Sequence, residues 1–324
     1  MAFIIFLLTV VCALGLSSHS LREFYRFPNG TWVENIAVRP NGNILVALVN
    51  TPELWEIIPS APSDCNPAQL VYHFDGADSV NGITELSPDT YAVIASNSVW
   101  KVDLSVYEKA SEPIRIATLP AGTLNGMATL DDERVSVAIS DSQLGLVWRL
   151  NTHTGNYTVI HQDMTMEPND DLGLMLGING LRIANSYMYY DNSPRQIFCR
   201  VLIDESTGEA LGPYEIITHD VLADDFAVTS DGVAYLAGLT NNVVIKVFPN
   251  GSHEVIAGSR DSTDLMTATS AAFGKPVNGQ NILYVTTGGE SEHPVNTTDT
   301  RGGKVMALTI DLEGWIGRFE GAGY

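Results

Sequence analysis

The sequence predicts an all-β fold, a six-bladed β-propeller with four antiparallel strands per blade. Two observations predict it. A short pattern of polar head, small residue and alternating apolar residues recurs six times, and its copies are Glu34-Asn35-Ile36-Ala37-Val38, Asn81-Gly82-Ile83-Thr84, Asn125-Gly126-Met127-Ala128-Thr129, Asn179-Gly180-Leu181-Arg182-Ile183, Asp224-Asp225-Phe226-Ala227-Val228 and Thr269-Ser270-Ala271-Ala272-Phe273. The heads lie 47, 44, 54, 45 and 45 residues apart, a spacing that holds four short strands and their turns. The second observation is the period-2 alternation of the segments between the copies, which suits half-buried strands.

Each copy starts an inner strand. A second strand follows a tight turn, as in Asn43-Ile44-Leu45-Val46-Ala47, Arg134-Val135-Ser136-Val137-Ala138 and Val233-Ala234-Tyr235-Leu236-Ala237. The turns Pro40-Asn41-Gly42, Asp131-Asp132-Glu133 and Ser230-Asp231-Gly232 are rich in residues that reverse a chain. Third strands share a tryptophan, in Leu54-Trp55-Glu56-Ile57, Val99-Trp100-Lys101-Val102 and Val147-Trp148-Arg149-Leu150, which reads as packing between blades. Outer strands are shorter, as in Gln69-Leu70-Val71-Tyr72-His73 and Pro113-Ile114-Arg115-Ile116. The sixth blade has three strands of its own near 271–274, 281–286 and 304–310, and Leu21–Phe27 is placed to supply its outer strand and close the ring.

Residues 1–18 read as a signal peptide, apolar and too short to span a bilayer, leaving 19–324 as a single propeller domain. Four acceptor sequons, at Asn29, Asn156, Asn250 and Asn296, fall in expected loops and agree with a secreted or secretory-lumen protein. The net charge of -21 disfavours nucleic acid and anionic lipid as partners, and no second segment approaches a membrane span. Cys12 leaves with the signal peptide; Cys65 and Cys199 belong to the first and fourth blades, too far apart to form a disulfide.

Two long connections, 161–178 and 287–303, open on the face where the heads begin and are expected to act as lids. The first carries Met164, Met166 and Met175, which suit apolar ligands because methionine packs adaptably. The heads converge on the axis. The six heads Glu34, Asn81, Asn125, Asn179, Asp224 and Thr269 bring two carboxylates and several amide oxygens that suit calcium or magnesium, or else satisfy strand ends without a metal. A second ring follows the second strands at Asn97, Asp141, Asn192, Asn241 and Thr287, and Asp141 is its one carboxylate, a candidate general base. Arg195, His219, His293 and Arg301 sit in loops of the same face and could hold an anion. No nucleophilic serine motif, phosphate-cradling glycine loop, zinc-type cluster or dinucleotide fingerprint occurs.

Leu124-Asn125-Gly126-Met127-Ala128, Ile178-Asn179-Gly180-Leu181 with Tyr189-Tyr190-Asp191-Asn192-Ser193, and Asp224-Asp225-Phe226-Ala227-Val228 resemble the senescence-marker/gluconolactonase-like six-bladed propellers, over roughly residues 22–310. The resemblance implies divalent-metal ligands at Glu34, Asn179 and Asp224, with Asn125 nearby. Asp224-Asp225 replaces the family's usual Asp-Gly pair. Secretion and the sequons point away from a cytosolic sugar lactonase and towards a fungal secreted subgroup that resembles the hetero-Diels–Alderases. That subgroup joins a quinone methide of tropolone type to a humulene-type terpene, with no cofactor required. On this reading the candidate catalytic residues are Asp141, Asn192, Arg195 and Trp32, the partners are small apolar natural products, and the protein is a monomer. A metal-dependent lactone or ester hydrolase and a non-catalytic binding propeller are the alternatives.

Overall fold

The computed structural model describes residues 20–62, 64–105, 112–130, 135–173, 175–276, 279–290 and 300–310. The expected signal peptide, the turn at 131–134, His293 and Asn296 lie outside the described residues. Strand β1 (Leu21–Arg26) opens the chain. Blade one is β2 (Val33–Val38), β3 (Ile44–Leu48), β4 (Glu53–Ile57) and β5 (Ala68–His73). Blade two is β6 (Val80–Ser87), β7 (Thr90–Ala95), β8 (Ser98–Asp103) and β9 (Ile114–Thr118). Blade three is β10 (Leu124–Thr129), β11 (Ser136–Asp141), β12 (Leu146–Asn151) and β13 (Tyr157–Gln162). Blade four is β14 (Ile178–Ala184), β15 (Tyr187–Asn192), β16 (Ile197–Leu202) and β17 (Glu215–His219). Blade five is β18 (Phe226–Val228), β19 (Ala234–Ala237), β20 (Val243–Val247) and β21 (His253–Gly258). Blade six is β22 (Ala268–Phe273), β23 (Asn281–Thr287) and β24 (Lys304–Ile310), completed by β1 in the order β1-β24-β23-β22. The N-terminal strand therefore closes the ring, as its position in the sequence predicts, and each sheet is antiparallel with four strands.

The core lies between blades. One cluster joins Ala128, Val147 and Ala138 of blade three to Leu181, Tyr190 and Cys199 of blade four. The third-strand tryptophans do pack as expected: Trp55 meets Phe27 edge-on at 5.8 Å and Trp100 meets Phe74 at 5.7 Å. Cys65 is exposed, Cys199 is buried, and both are free.

At the axis the inner strands come so close that three second-position residues must be glycine. A Cβ on Gly126 would lie 2.7 Å from Asn179 O, and one on Gly180 would lie 2.5 Å from Asp225 Oδ1. The register of the inner strand shifts at the head in five blades, between Val33 and Asn35, Val80 and Ile83, Leu124 and Met127, Ile178 and Leu181, and Ala268 and Ser270. Such bulges turn a side chain out of the regular alternation. Here they free the heads to face the axis rather than a neighbouring blade.

Candidate functional site

A cavity of about 380 Å³ opens over the heads. Its floor is Glu34, Asn81, Asn125, Asn179 and Asp224, and its wall includes Trp32, Val49, Leu172, Leu176, Pro194 and Leu239. Five of the six heads thus meet in one place. The sixth, Thr269, is buried and donates to Val33 O at 2.7 Å, stitching blade six to blade one.

The floor is a chain of hydrogen bonds. Trp32 Nε1–H donates to Glu34 Oε2 at 2.5 Å. Asn179 Nδ2 donates to Asp224 Oδ1 at 2.6 Å and to Ser193 Oγ at 2.8 Å. Asn81 Nδ2 donates to Leu124 O at 2.7 Å. Asn179 Oδ1 is buried without a hydrogen-bond partner. Burial pushes the Glu34 carboxyl up to about 7, against the Trp32 hydrogen bond and with added repulsion from Asp225. Asp224 is raised well above the usual carboxylate range by burial, then by Glu34 and Asp191. Asp191, which accepts Gly180 N–H at 2.8 Å, is raised for the same chief reason. Burial thus biases the carboxyls of the floor towards their acid forms, which can donate as well as accept.

Beneath the floor, Asp225 Oδ2 accepts from Asn35 Nδ2 at 2.8 Å, Arg182 at 2.7 Å and Ser270 Oγ at 3.2 Å. This knot separates the upper cavity from a second one of about 660 Å³ at the opposite mouth, where Arg182 also appears. The sequence reading missed it. The available signal was the Asp224-Asp225 doublet, with an acid where three other blades have glycine.

The structure places the other candidates elsewhere. Asp141 is fully buried at the end of β11 and accepts from Gly122 N, Thr123 N, Leu144 N and Trp148 Nε1 at 3.0–3.2 Å. It is not among the residues lining the cavity. Asn192 donates to Thr165 O at 2.9 Å and Glu167 O at 3.1 Å, and Arg195 Nε donates to Glu167 O at 3.0 Å. Both hold the root of the 161–178 connection. That connection folds back on itself through the paired backbone of Asn169 and Leu176. It does overhang the cavity, but through Leu172 and Leu176 rather than its methionines. Met166 is fully buried in the core, whereas Met164 and Met175 are 71% and 56% exposed. Of the 287–303 connection, Gly288 packs on Trp32. Asn29, Asn156 and Asn250 are exposed on the surface.

A hard cation would find suitable donors here: the carboxylates of Glu34 and Asp224 and the side-chain oxygens of Asn125 and Asn179, of which Asn179 Oδ1 lacks a partner. Among the described residues, no group of three or more His, Cys, Asp or Glu side chains gathers at one point, so amides would have to complete the set.

No family profile matches the chain. Two relatives do match in sequence. A protein of Sarocladium schorii described as "Putative hetero-Diels-Alderase asR5" is 31% identical over 318 residues, covering 82% of this chain and 77% of that one. One from a Phoma species, described as "Putative hetero-Diels-Alderase", is 30% identical over 307 residues, covering 82% and 86%. Among solved structures, the calcium-binding protein regucalcin of Agrobacterium tumefaciens superposes with a TM-score of 0.65 at 16% identity, over 90% of this chain and 93% of that one. A structure described as a "putative gluconolactonase" gives 0.63 at 15% identity, over 90% and 92%. These structures share the fold. The expected resemblance is thus met twice, in sequence by the first pair and in architecture by the second, and the chain belongs to the hetero-Diels-Alderase family of its two sequence relatives, carried on a gluconolactonase-like six-bladed propeller.

Proposed function

We propose that the protein is a secreted or secretory-lumen pericyclase that joins a tropolone-type quinone methide to a humulene-type terpene by a hetero-Diels–Alder reaction. The observation that carries this reading is the split character of one cavity, with a floor of carboxyls and amides under a wall of Trp32, Val49, Leu172, Leu176, Pro194 and Leu239. Membership of the hetero-Diels-Alderase family supports it. In the reaction, the carbon–carbon–carbon–oxygen unit of the quinone methide adds across an alkene. One C–O and one C–C bond form, and nothing leaves. The protein has no covalent step to perform. It holds the two partners in a near-attack pose and keeps water from the electrophilic intermediate.

The floor adds an electrostatic contribution. Protonated Glu34 or Asp224 donates a hydrogen bond to the quinone methide oxygen, draws electron density from the reacting unit and speeds attack by the electron-rich alkene. Glu34 can do so while still accepting from Trp32, because that bond uses Oε2 and leaves Oε1 for the proton. Leu172 and Leu176 cover the apolar partner from above. No cofactor enters this scheme.

The test is direct. Purified protein is mixed with a quinone methide generated in situ and a humulene-type alkene, and the adduct is followed by chromatography with chiral resolution. Accelerated formation of one stereoisomer supports the proposal. Racemic adduct at the buffer rate refutes it, and saturable binding without turnover favours a non-catalytic binding propeller.

A second reading is favoured by the unpartnered Asn179 Oδ1, on a side chain that donates to the buried Asp224 carboxyl. Glu34, Asn125, Asn179 and Asp224 would hold calcium or magnesium in a lactone or ester hydrolase. The ion would supply charge to polarise the carbonyl. Asp141, the expected base, has its oxygens engaged by four donors. Elemental analysis of the purified protein separates the two readings, together with turnover before and after chelation. Full activity of metal-free protein on the terpene pair excludes the hydrolase as the main function.

A further inference from the structure

Trp32 is held on three sides. Its backbone N–H donates to Asn50 Oδ1 at 3.0 Å, and its indole N–H donates to Glu34 Oε2 at 2.5 Å. Its ring lies against Gly288. A Cβ built on that glycine would stand 2.6 Å from Trp32 Cδ2 and Cε3 and 2.8 Å from Cε2. Non-bonded carbons do not approach this closely, so either the ring or the backbone would have to move. The backbone has little room to do so, because Gly288 is buried and its N–H donates to Thr267 O at 2.7 Å. Unlike Gly289, whose φ is +80°, Gly288 does not have a left-handed backbone. Its requirement for glycine is steric. Only a bare backbone lets the indole lie flat and still reach Glu34.

We infer that Gly288 is a positioning residue for the Trp32–Glu34 pair, setting both the apolar wall of the cavity and the direction of the Glu34 carboxyl. The inference rests on the reading of this cavity as the reaction chamber. Gly288 touches no substrate. A side chain there drives the indole inward, narrows the space left for the terpene and releases the Nε1–H bond. Glu34 then loses its one side-chain anchor among the described residues.

The test compares Gly288→Ala, Trp32→Val and the double variant by two independent readouts. The first is the indole N–H resonance of Trp32, assigned by its loss in Trp32→Val. The second is KM and kcat for adduct formation. Gly288→Ala is expected to shift the indole resonance upfield, the sign of a weakened hydrogen bond. It should raise KM for the terpene and lower kcat by about tenfold or more. Valine has no atoms where Cδ2, Cε2 and Cε3 of the indole meet the added Cβ, so the double variant should match Trp32→Val alone in KM, kcat and melting temperature. An unmoved resonance in Gly288→Ala overturns the inference. So does a double variant in which the two losses add. If the wild type fails to turn over the terpene pair, the proposed function falls. The resonance shift and the double variant's melting temperature then still decide whether Gly288 positions Trp32. If Gly288→Ala does not fold, recovery of folding in the double variant supports the same steric contact, and lack of recovery refutes it.

Discussion

Replacing Glu34 by glutamine tests the chemistry at the axis most sharply. Burial lifts this carboxyl to about 7, so its acid form exists through the neutral range and vanishes above it. If the acid form donates to the quinone methide oxygen, kcat/KM follows its population. A single group with this pKa is about 90% protonated at pH 6 and about 1% at pH 9, so the wild-type rate should fall about 90-fold between them. Glu34→Gln keeps an N–H donor and cannot titrate. Its profile should be flat across that window, below the wild-type plateau and above the wild-type value at pH 9. The assay is initial rate of single-stereoisomer adduct at fixed, subsaturating terpene, in overlapping buffers of constant ionic strength. Background addition is subtracted at each pH. A wild-type profile that is level from pH 6 to 9, or a variant that falls in parallel with it, would refute the acid role of Glu34. Stability supplies an independent check on the same shift. The unfolded chain gives up this proton near 4.5 and the native state near 7, so ionisation increasingly favours the unfolded chain as pH rises from 4.5 to 7. Above pH 7, Glu34→Gln should recover part of this loss on melting, less what the weakened Trp32 hydrogen bond contributes.

Three further outcomes are expected. His161, 2% exposed and held at about 4 by burial, resists the proton that the unfolded chain accepts near 6.5; its contribution is intact above pH 6.5 and about 3 kcal/mol is lost as pH falls to 4, so His161→Phe should show a smaller decline over that range in chemical denaturation. Arg182→Leu strips the buried Asp225 of its cation and should cost about 3–5 kcal/mol in denaturant unfolding, whereas Arg182→Leu combined with Asp225→Asn should cost less than Arg182→Leu alone. Leu172→Ala removes apolar wall above the floor without touching a hydrogen-bonded group; it should raise the terpene KM several-fold with little change in melting temperature.

The architecture was legible because a propeller is a repeat: six heads at near-constant spacing announce six inner strands, and the alternation after each announces the rest. The same logic placed Leu21–Phe27 beside the sixth blade, where β1 pairs with β24 over Leu21–Arg26. Convergence of the heads was legible for the same reason. What a side chain does once it reaches the axis was not. Asp141 follows its strand as Asn192 does, yet the two turn away from the cavity to hold Gly122–Leu144 and the 165–167 segment, because second-strand ends face loops with unpaired backbone groups. The methionines of the 161–178 connection were the obvious apolar residues, but its fold is set by the Asn169–Leu176 pairing, which brings Leu172 and Leu176 over the mouth. Hydrophobicity along a loop does not reveal which face the loop presents.

The Asp225 knot closes the axial channel on one side of the heads, as the proposed reaction needs if water is to be kept out. A ring of inner strands leaves an open channel wherever the second-position residues are small, and Gly82, Gly126 and Gly180 would leave one here. Asn35, Asp225 and Ser270 come from the other three blades and meet across that gap, with Arg182 reaching up to join them. The channel is thereby split into an upper cavity and a lower one. The glycines are also what lets the knot form, since a Cβ on Gly180 would strike the Asp225 and Asp191 carboxyls. Placing this carboxyl directly beneath the heads has a second effect. Desolvation is the chief cause that raises Glu34 and Asp224, Glu34 and Asp191 add to it at Asp224, and Asp225 adds a smaller repulsion to both. The knot thus closes the floor against solvent, and the same crowding of acids in a desolvated place biases the floor towards donating protons rather than accepting them, which is the bias that the proposed activation of a carbonyl oxygen requires.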